Sequence, residues 1–184
     1  SKHWECNKVD ASYMLGVRRE VTHTPEDEME VELTMTAYIE SIAETFQKHL
    51  IKRTISTPVP EGFFTWKKTS TNEEESKAVL KRGYQQLFGC LLWAARGTFP
   101  ECLQGCSQLG RVMSQPSEED WNAACHMLTY LEQHKTHGIK FTSKGNKEPV
   151  VFVDASNRPD PTDGKCQYGY CHLWQGGCIV AASK

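Results

Sequence analysis

The chain has 184 residues, of which 39% are hydrophobic and 24% charged, the profile of one soluble globular domain or two small ones. Its 21 basic residues against 23 acidic ones give a net charge of -2, which excludes a histone-like polycation and leaves any nucleic-acid contact to a local patch. No stretch approaches the ~20 apolar residues that span a bilayer, and the opening SKHWECNKVD lacks a signal-peptide layout, so an intracellular chain is expected.

Residues 12–21 (SYMLGVRREV) and 28–33 (EMEVEL) are predicted strands around an acidic turn. Met29, Val31 and Leu33 alternate with Glu28, Glu30 and Glu32, so the second strand should have one buried and one wet face, in a hairpin at a sheet edge. From Thr34 the period changes. Tyr38, Ile39, Ile42, Ala43, Phe46 and Leu50 share one face of a helix capped by Thr34, with Leu33 and Tyr38 stapled across it, which should run to near Ile55 ahead of Pro58 and Pro60.

Residues 56–76 read as a linker in which Phe63, Phe64 and Trp66 pin the chain to the core, with stacking on a base as the lesser alternative. A long helix is predicted over 74–96, with Leu80, Tyr84, Leu87, Phe88, Leu91, Leu92 and Ala95 on one stripe. Gly83 and Gly89 inside it are explained by close helix packing. Pro100 opens a third helix carrying Leu103, Cys106, Leu109 and Met113. Ser117 and Asp120 form a capping box for a fourth, with Trp121, Ala124, Cys125, Leu128 and Leu131 buried and Gly138 as its stop. Four strands follow, GIKFTS, PVVFVD, CQYGYCHLW and CIVAAS, joined by hairpin turns. No helix remains to cover their apolar face, so this portion looks unfinished.

The eight cysteines do not make paired CxxC knuckles, and core thiols are expected rather than zinc ligands. Asp154 ends the apolar run VVFV. A carboxylate there suits a hard divalent cation, or simply terminates a strand. One carboxylate is not a two-metal site, and Asp160 and Asp163 lie in a proline-containing loop. No phosphate-cradling glycine loop, nucleophile elbow or HExxH occurs. His134 and His137 answer a helix dipole. Lys48, Lys52, Arg53, Lys67, Lys68, Lys81 and Arg82 are candidate phosphate contacts, against a default of mixed surface charge.

YQQLFGCLLWAARGTFPE (84–101), LGRVMSQPSEEDWNAACHMLTYLEQHKTHGIKF (109–141) and FVDASN (152–157) resemble, in order, the stretch of copia-type retrotransposon polyproteins that links reverse transcriptase to ribonuclease H. YMLGV (13–17) is similar to the primer-grip hairpin, LTMTAYIESIAETF (33–46) to the first helix after it, and STP (56–58) to the next turn. The resemblance implies an α+β chain: residues 1–33 as the end of the palm, 34–138 as a thumb and connection bundle of about four helices, and 139–184 as the first antiparallel strands of an incomplete ribonuclease H-like sheet. It implies that Leu15 and Gly16 belong to the primer grip and that Asp154 is the first ribonuclease H acid and a Mg²⁺ ligand. It implies partners in an RNA–DNA or DNA duplex and the rest of the polyprotein, in a cytoplasmic particle or the nucleus. The family's Thr-Arg-Pro-Asp is Thr98-Phe99-Pro100-Glu101 here. The polymerase aspartate pair is expected before Ser1 and the later ribonuclease H acids after Lys184, so neither catalytic set is complete in these residues. The alternative is a decayed or repurposed element fragment that serves as a structural subunit, its bare sheet covered by a protein partner.

Overall fold

The computed structural model describes residues 12–63, 72–156 and 166–184. In chain order it contains β1 (Tyr13–Met14), β2 (Val17–His23), β3 (Met29–Thr34), α1 (Thr36–Thr45), α2 (Glu73–Lys81), α3 (Tyr84–Gly97), α4 (Leu103–Arg111), α5 (Glu118–Gln133), β4 (Gly138–Thr142), β5 (Val150–Ser156), β6 (Gln167–Trp174) and β7 (Gly177–Ser183). The class is α+β, with an N-terminal hairpin, central helices and C-terminal antiparallel strands. Cys6, Phe64, Trp66, Lys67, Lys68, Asp160 and Asp163 lie outside the described residues.

The expected strand over 12–21 breaks at Leu15 and Gly16, whose φ values of 56° and 86° make a tight turn with two consecutive left-handed residues, the geometry that follows strand twist. β1 and β2 flank it, with Met14 opposite Val17. β3 pairs with β2 on one side and with β4 on the other, from Glu30 opposite Thr142 to Thr34 opposite Gly138. The GIKFTS strand, grouped by sequence with the C-terminal strands, therefore completes the first sheet, in the order β1-β2-β3-β4. That makes β3 an interior strand rather than an edge. The expected dry face is absent, since Val21 and Met29 are each 45% exposed.

Thr34 does not cap α1, because it remains in the β3 ladder. The cap is Met35, with no side-chain bond. α1 ends at Thr45 rather than near Ile55, followed by a 3-10 turn over Gln47–His49. The next residues run irregularly beside α5, with a bend at Lys52 and Arg53. Ile51 N–H donates to Thr129 Oγ1 at 3.0 Å and Ile55 N–H to Gln133 Oε1 at 2.8 Å, bonds that replace those a longer helix would have made.

The linker ends at Asn72, whose Oδ1 accepts from Glu74 N–H at 3.0 Å to cap α2. Glu73, Glu74 and Glu75 in the first turn suit the positive end of the dipole. Phe63 is buried as predicted. The long helix expected over 74–96 is two helices. Gly83 breaks it at φ 103°, and a Cβ there would meet nothing nearer than 3.7 Å, so the left-handed backbone and not close packing requires glycine. Gly89 likewise faces open space.

In α4, Cys106 and Leu109 are buried, whereas Met113 lies past the helix end and is exposed. The capping box of α5 is present: Ser117 N–H donates to Asp120 Oδ2 at 2.8 Å and Asp120 N–H to Ser117 Oγ at 3.4 Å. Trp121, Ala124, Cys125, Leu128 and Leu131 are buried. α5 ends at Gln133, and Gly138 is not its stop but the start of β4 against the Leu33 carbonyl. α5 packs with α3, α4 and α1 around Leu87, Leu91, Leu109 and Leu128. Cys102, Cys106 and Cys125 sit in this core as free thiols, and burial pushes Cys106 and Cys125 up to about 12.

The second sheet has the order β5-β6-β7. The VVFV run is not buried: Val151, Phe152 and Val153 are 49%, 59% and 72% exposed on the edge strand β5. The expectation that no helix covers this sheet is also corrected. α4 lies against β7, and Gln108 Nε2 donates to Gln167 Oε1 of β6 at 2.9 Å. Thr142 N–H donates to Gln175 O at 2.9 Å, which ties the β6–β7 turn to the first sheet.

Candidate nucleic-acid interface

The predicted site residues fall in three places. The first is the Leu15–Gly16 turn. Leu15 is 70% exposed at its tip. A Cβ on Gly16 would lie 3.6 to 3.7 Å from Tyr38 Cβ, Met35 Cε and Trp93 Nε1, so α1 and α3 support the turn from beneath. A hollow beside it is lined by Tyr13, Arg18, Glu20, Glu32 and Glu40, a mixed-sign rim in which Arg18 Nε pairs with Glu20 at 2.9 Å.

The second place joins the basic segments. Lys48 lies in the 3-10 turn after α1, with Lys52 and Arg53 at the bend that follows, and all three are exposed. Lys81 ends α2 and Arg82 caps it. Both segments meet over Trp121 at the start of α5. The His49 ring sits edge-on to the indole at 4.9 Å between centroids, and the Arg82 guanidinium lies 5.3 Å over it. Trp121 is thus the buried post against which the segment of His49 and the segment of Arg82 both rest.

Arg82 is itself engaged. Its Nη1 and Nη2 donate to the two carboxylate oxygens of Glu118 at 2.8 and 2.5 Å, a bidentate arrangement. That hydrogen bonding raises the guanidinium's pKa and holds the Glu118 carboxyl below its ordinary range. Its geometry therefore orders the patch more than it offers a donor to a phosphate. α1 has ten residues and is about 15 Å long, which puts this patch and the Leu15–Gly16 turn toward its opposite ends.

The third place is Asp154, exposed on β5 opposite Gly169. It lines a groove of about 760 Å³ between the second sheet and the start of α4, together with Glu101, Gln104, Gln167 and Tyr170. Glu101 Oε1 accepts from Tyr130 O–H at 3.2 Å. Among the described residues no group of three or more His, Cys, Asp or Glu side chains converges on a point. Asp154 and Glu101 alone do not fit the clustered carboxylates of a two-metal hydrolytic centre. Pattern reading placed Trp121 on the buried stripe of α5 and Glu101 in the altered family motif, and gave neither of them, nor His49, a part in a site. The one local signal was His49 beside Lys48.

The chain is 28% identical over 155 residues, 83% of its length, to the retrovirus-related Pol polyprotein from transposon TNT 1-94 of Nicotiana tabacum. It is similar to part of a retrotransposon polyprotein. The matched stretch is 11% of that polyprotein, and the similarity supports a retroelement-derived fragment. The chain is also 28% identical over 101 residues, 55% of its own length and 71% of the relative's, to the secreted RxLR effector protein 161 of Plasmopara viticola. No family model and no solved structure matches the chain. Among the described residues no helix is long and apolar enough to cross a membrane.

Proposed function

We propose that the chain is the thumb and connection portion of a copia-type reverse transcriptase, running into the first strands of a ribonuclease H-like domain, and that its own part is to hold an RNA–DNA or DNA duplex. The observation that carries this reading is the seating of His49 and Arg82 against Trp121, which anchors the segments bearing Lys48 and Lys81 on α5, while α1 leads from there to the exposed Leu15–Gly16 turn. Lysines and arginines on a firm helical support bind phosphates without reading bases. On this reading Asp154 is one acid of a Mg²⁺ site completed elsewhere in the polyprotein, and the chain by itself carries no cleavage step.

The test is fluorescence anisotropy of the 184-residue chain with a labelled RNA–DNA hybrid of scrambled sequence. Each neutralised phosphate contributes about -0.9 to the slope of log affinity against log salt, so binding should weaken steeply with salt. Replacing Lys48, Lys52, Arg53 and Lys81 together by alanine should reduce affinity at least about tenfold at low salt and flatten that slope. Binding that ignores salt, or is unchanged in this variant, overturns the proposal.

A second reading, a repurposed fragment that serves as a structural subunit, is favoured by the exposed apolar edge strand β5. A chain that binds no duplex and is ordered only by a protein partner would support it.

A further inference from the structure

We propose that Cys171 and Cys178 form a thiol–disulfide exchange site, a dithiol that a low-molecular-weight disulfide such as oxidised glutathione converts to an intrachain disulfide. The two residues lie on adjacent antiparallel strands, β6 and β7. Leu173 is opposite Cys178, and side chains two apart on a strand share a face, so Cys171, Leu173 and Cys178 all point to the same side. A bulge at His172/Leu173 lies between the two cysteines. Bulges sharpen the local twist and here accompany a close diagonal approach, with the Sγ atoms 3.5 Å apart. That is van der Waals contact between sulfurs, and bond formation requires them to close to about 2.05 Å.

Reagents have a route to the pair. Cys171 lines the groove beside α4, and Cys178 lines a neighbouring hollow with Glu101 and Lys140. Both cysteines are partly exposed, unlike the buried Cys102, Cys106 and Cys125. Burial and the hydrogen bond between the two sulfurs raise Cys178 to about 11, and the pair reacts through whichever sulfur is deprotonated.

The thiolate of one cysteine attacks one sulfur of oxidised glutathione, forming a mixed disulfide and releasing one glutathione thiolate. The other cysteine then gives its proton to solvent and attacks the protein sulfur of the mixed disulfide, releasing the second glutathione. Two protein thiols are oxidised, one glutathione disulfide is reduced to two thiols, and the protein loses two hydrogens.

The experiment treats the full chain with graded ratios of oxidised to reduced glutathione, quenches in acid, alkylates under denaturing conditions and maps peptides by mass spectrometry. Chymotryptic cleavage after Tyr170 and Trp174 separates Cys166, Cys171 and Cys178. A peptide pair joining Cys171 to Cys178 is expected at ratios that leave Cys102, Cys106 and Cys125 fully alkylated. In C171S or C178S the remaining partner should be recovered as a glutathione mixed disulfide, with no crosslinked peptide. The unsubstituted chain carries the deciding measurement, so a folding defect in either variant does not blunt it. Pairing of either cysteine with Cys166, or both staying reduced where the exposed Cys166 is glutathionylated, overturns the proposal.

Discussion

α3 and β5 are both written with short apolar runs, LLWAA over 91–95 and VVFV over 150–153, and the fold treats them in opposite ways. In α3, Leu91, Ala94 and Ala95 are buried and Trp93 alone of these five points well into solvent. In β5, every member of the run is at least 36% exposed. A helix sorts an apolar run by its 3.6-residue period, so part of it always turns toward the neighbours. A strand puts alternate residues on opposite faces, and an unbroken apolar run is buried only where both faces are covered. β5 is at an edge, with β6 alone beside it. Hydrophobicity along the chain therefore predicts burial only once the neighbours on each side are known.

The strongest challenge to this contrast is a pair of truncations. Leu91→Ala or Leu128→Ala should cost about 2–5 kcal/mol in urea denaturation, because each empties a fully buried site in the helical core. Val153→Ala should cost about 0.5 kcal/mol or less. Equal losses would mean that β5 is covered in solution, and the contrast would collapse. A finer distinction lies within the helical half. Gly83→Ala forces a side chain into the left-handed backbone of the α2–α3 break and should destabilise by about 1–2 kcal/mol. Gly89→Ala, in open space on the same predicted helix, should stabilise by roughly 0.5–1 kcal/mol. The same thermal melts report both, and a shared sign would show that the two glycines serve one purpose.

The smallest expected effect concerns pH. His126 on α5 donates from Nε2 to the Thr57 carbonyl at 2.9 Å, and burial lowers its pKa although that bond opposes the shift. The folded state therefore binds this proton less readily than the unfolded chain. The contribution is fully present above the unfolded histidine value of about 6.5 and is lost as pH falls below it. The urea midpoint of the wild-type chain should decline between about pH 7 and pH 5.5, and His126→Gln should flatten that part of the profile.

What the residues announce in advance follows the reach of the forces that hold them. The Ser117–Asp120 box and the stripe of α5 are local and were legible. The end of α1 was not, because Ile51 and Ile55 are held by Thr129 and Gln133 from α5, partners that no window around Ile55 contains. β4 was placed with the wrong strands for the same reason, since its partner β3 precedes all the helices. In the candidate site, basic residues at 48, 52, 53, 81 and 82 were visible as charges. The seating of His49 and Arg82 against Trp121 was not, nor was the bidentate engagement of Arg82 by Glu118. The Leu15–Gly16 turn was visible as a motif but read as mid-strand, because its neighbours on both sides favour extended backbone.

The β3–β4 ladder has a consequence for how the chain is made. Thr34 and Gly138 are opposite each other though more than a hundred residues apart, so β3 leaves the ribosome long before its partner exists. Throughout that interval one row of its backbone amides and carbonyls is open to any passing strand. The helices from α1 to α5 must draw the two ends together before the ladder closes, a non-local step that is slow by nature. The glutamates at 28, 30 and 32 then acquire a use during synthesis, when like charges along the open edge repel a second nascent copy until β4 arrives.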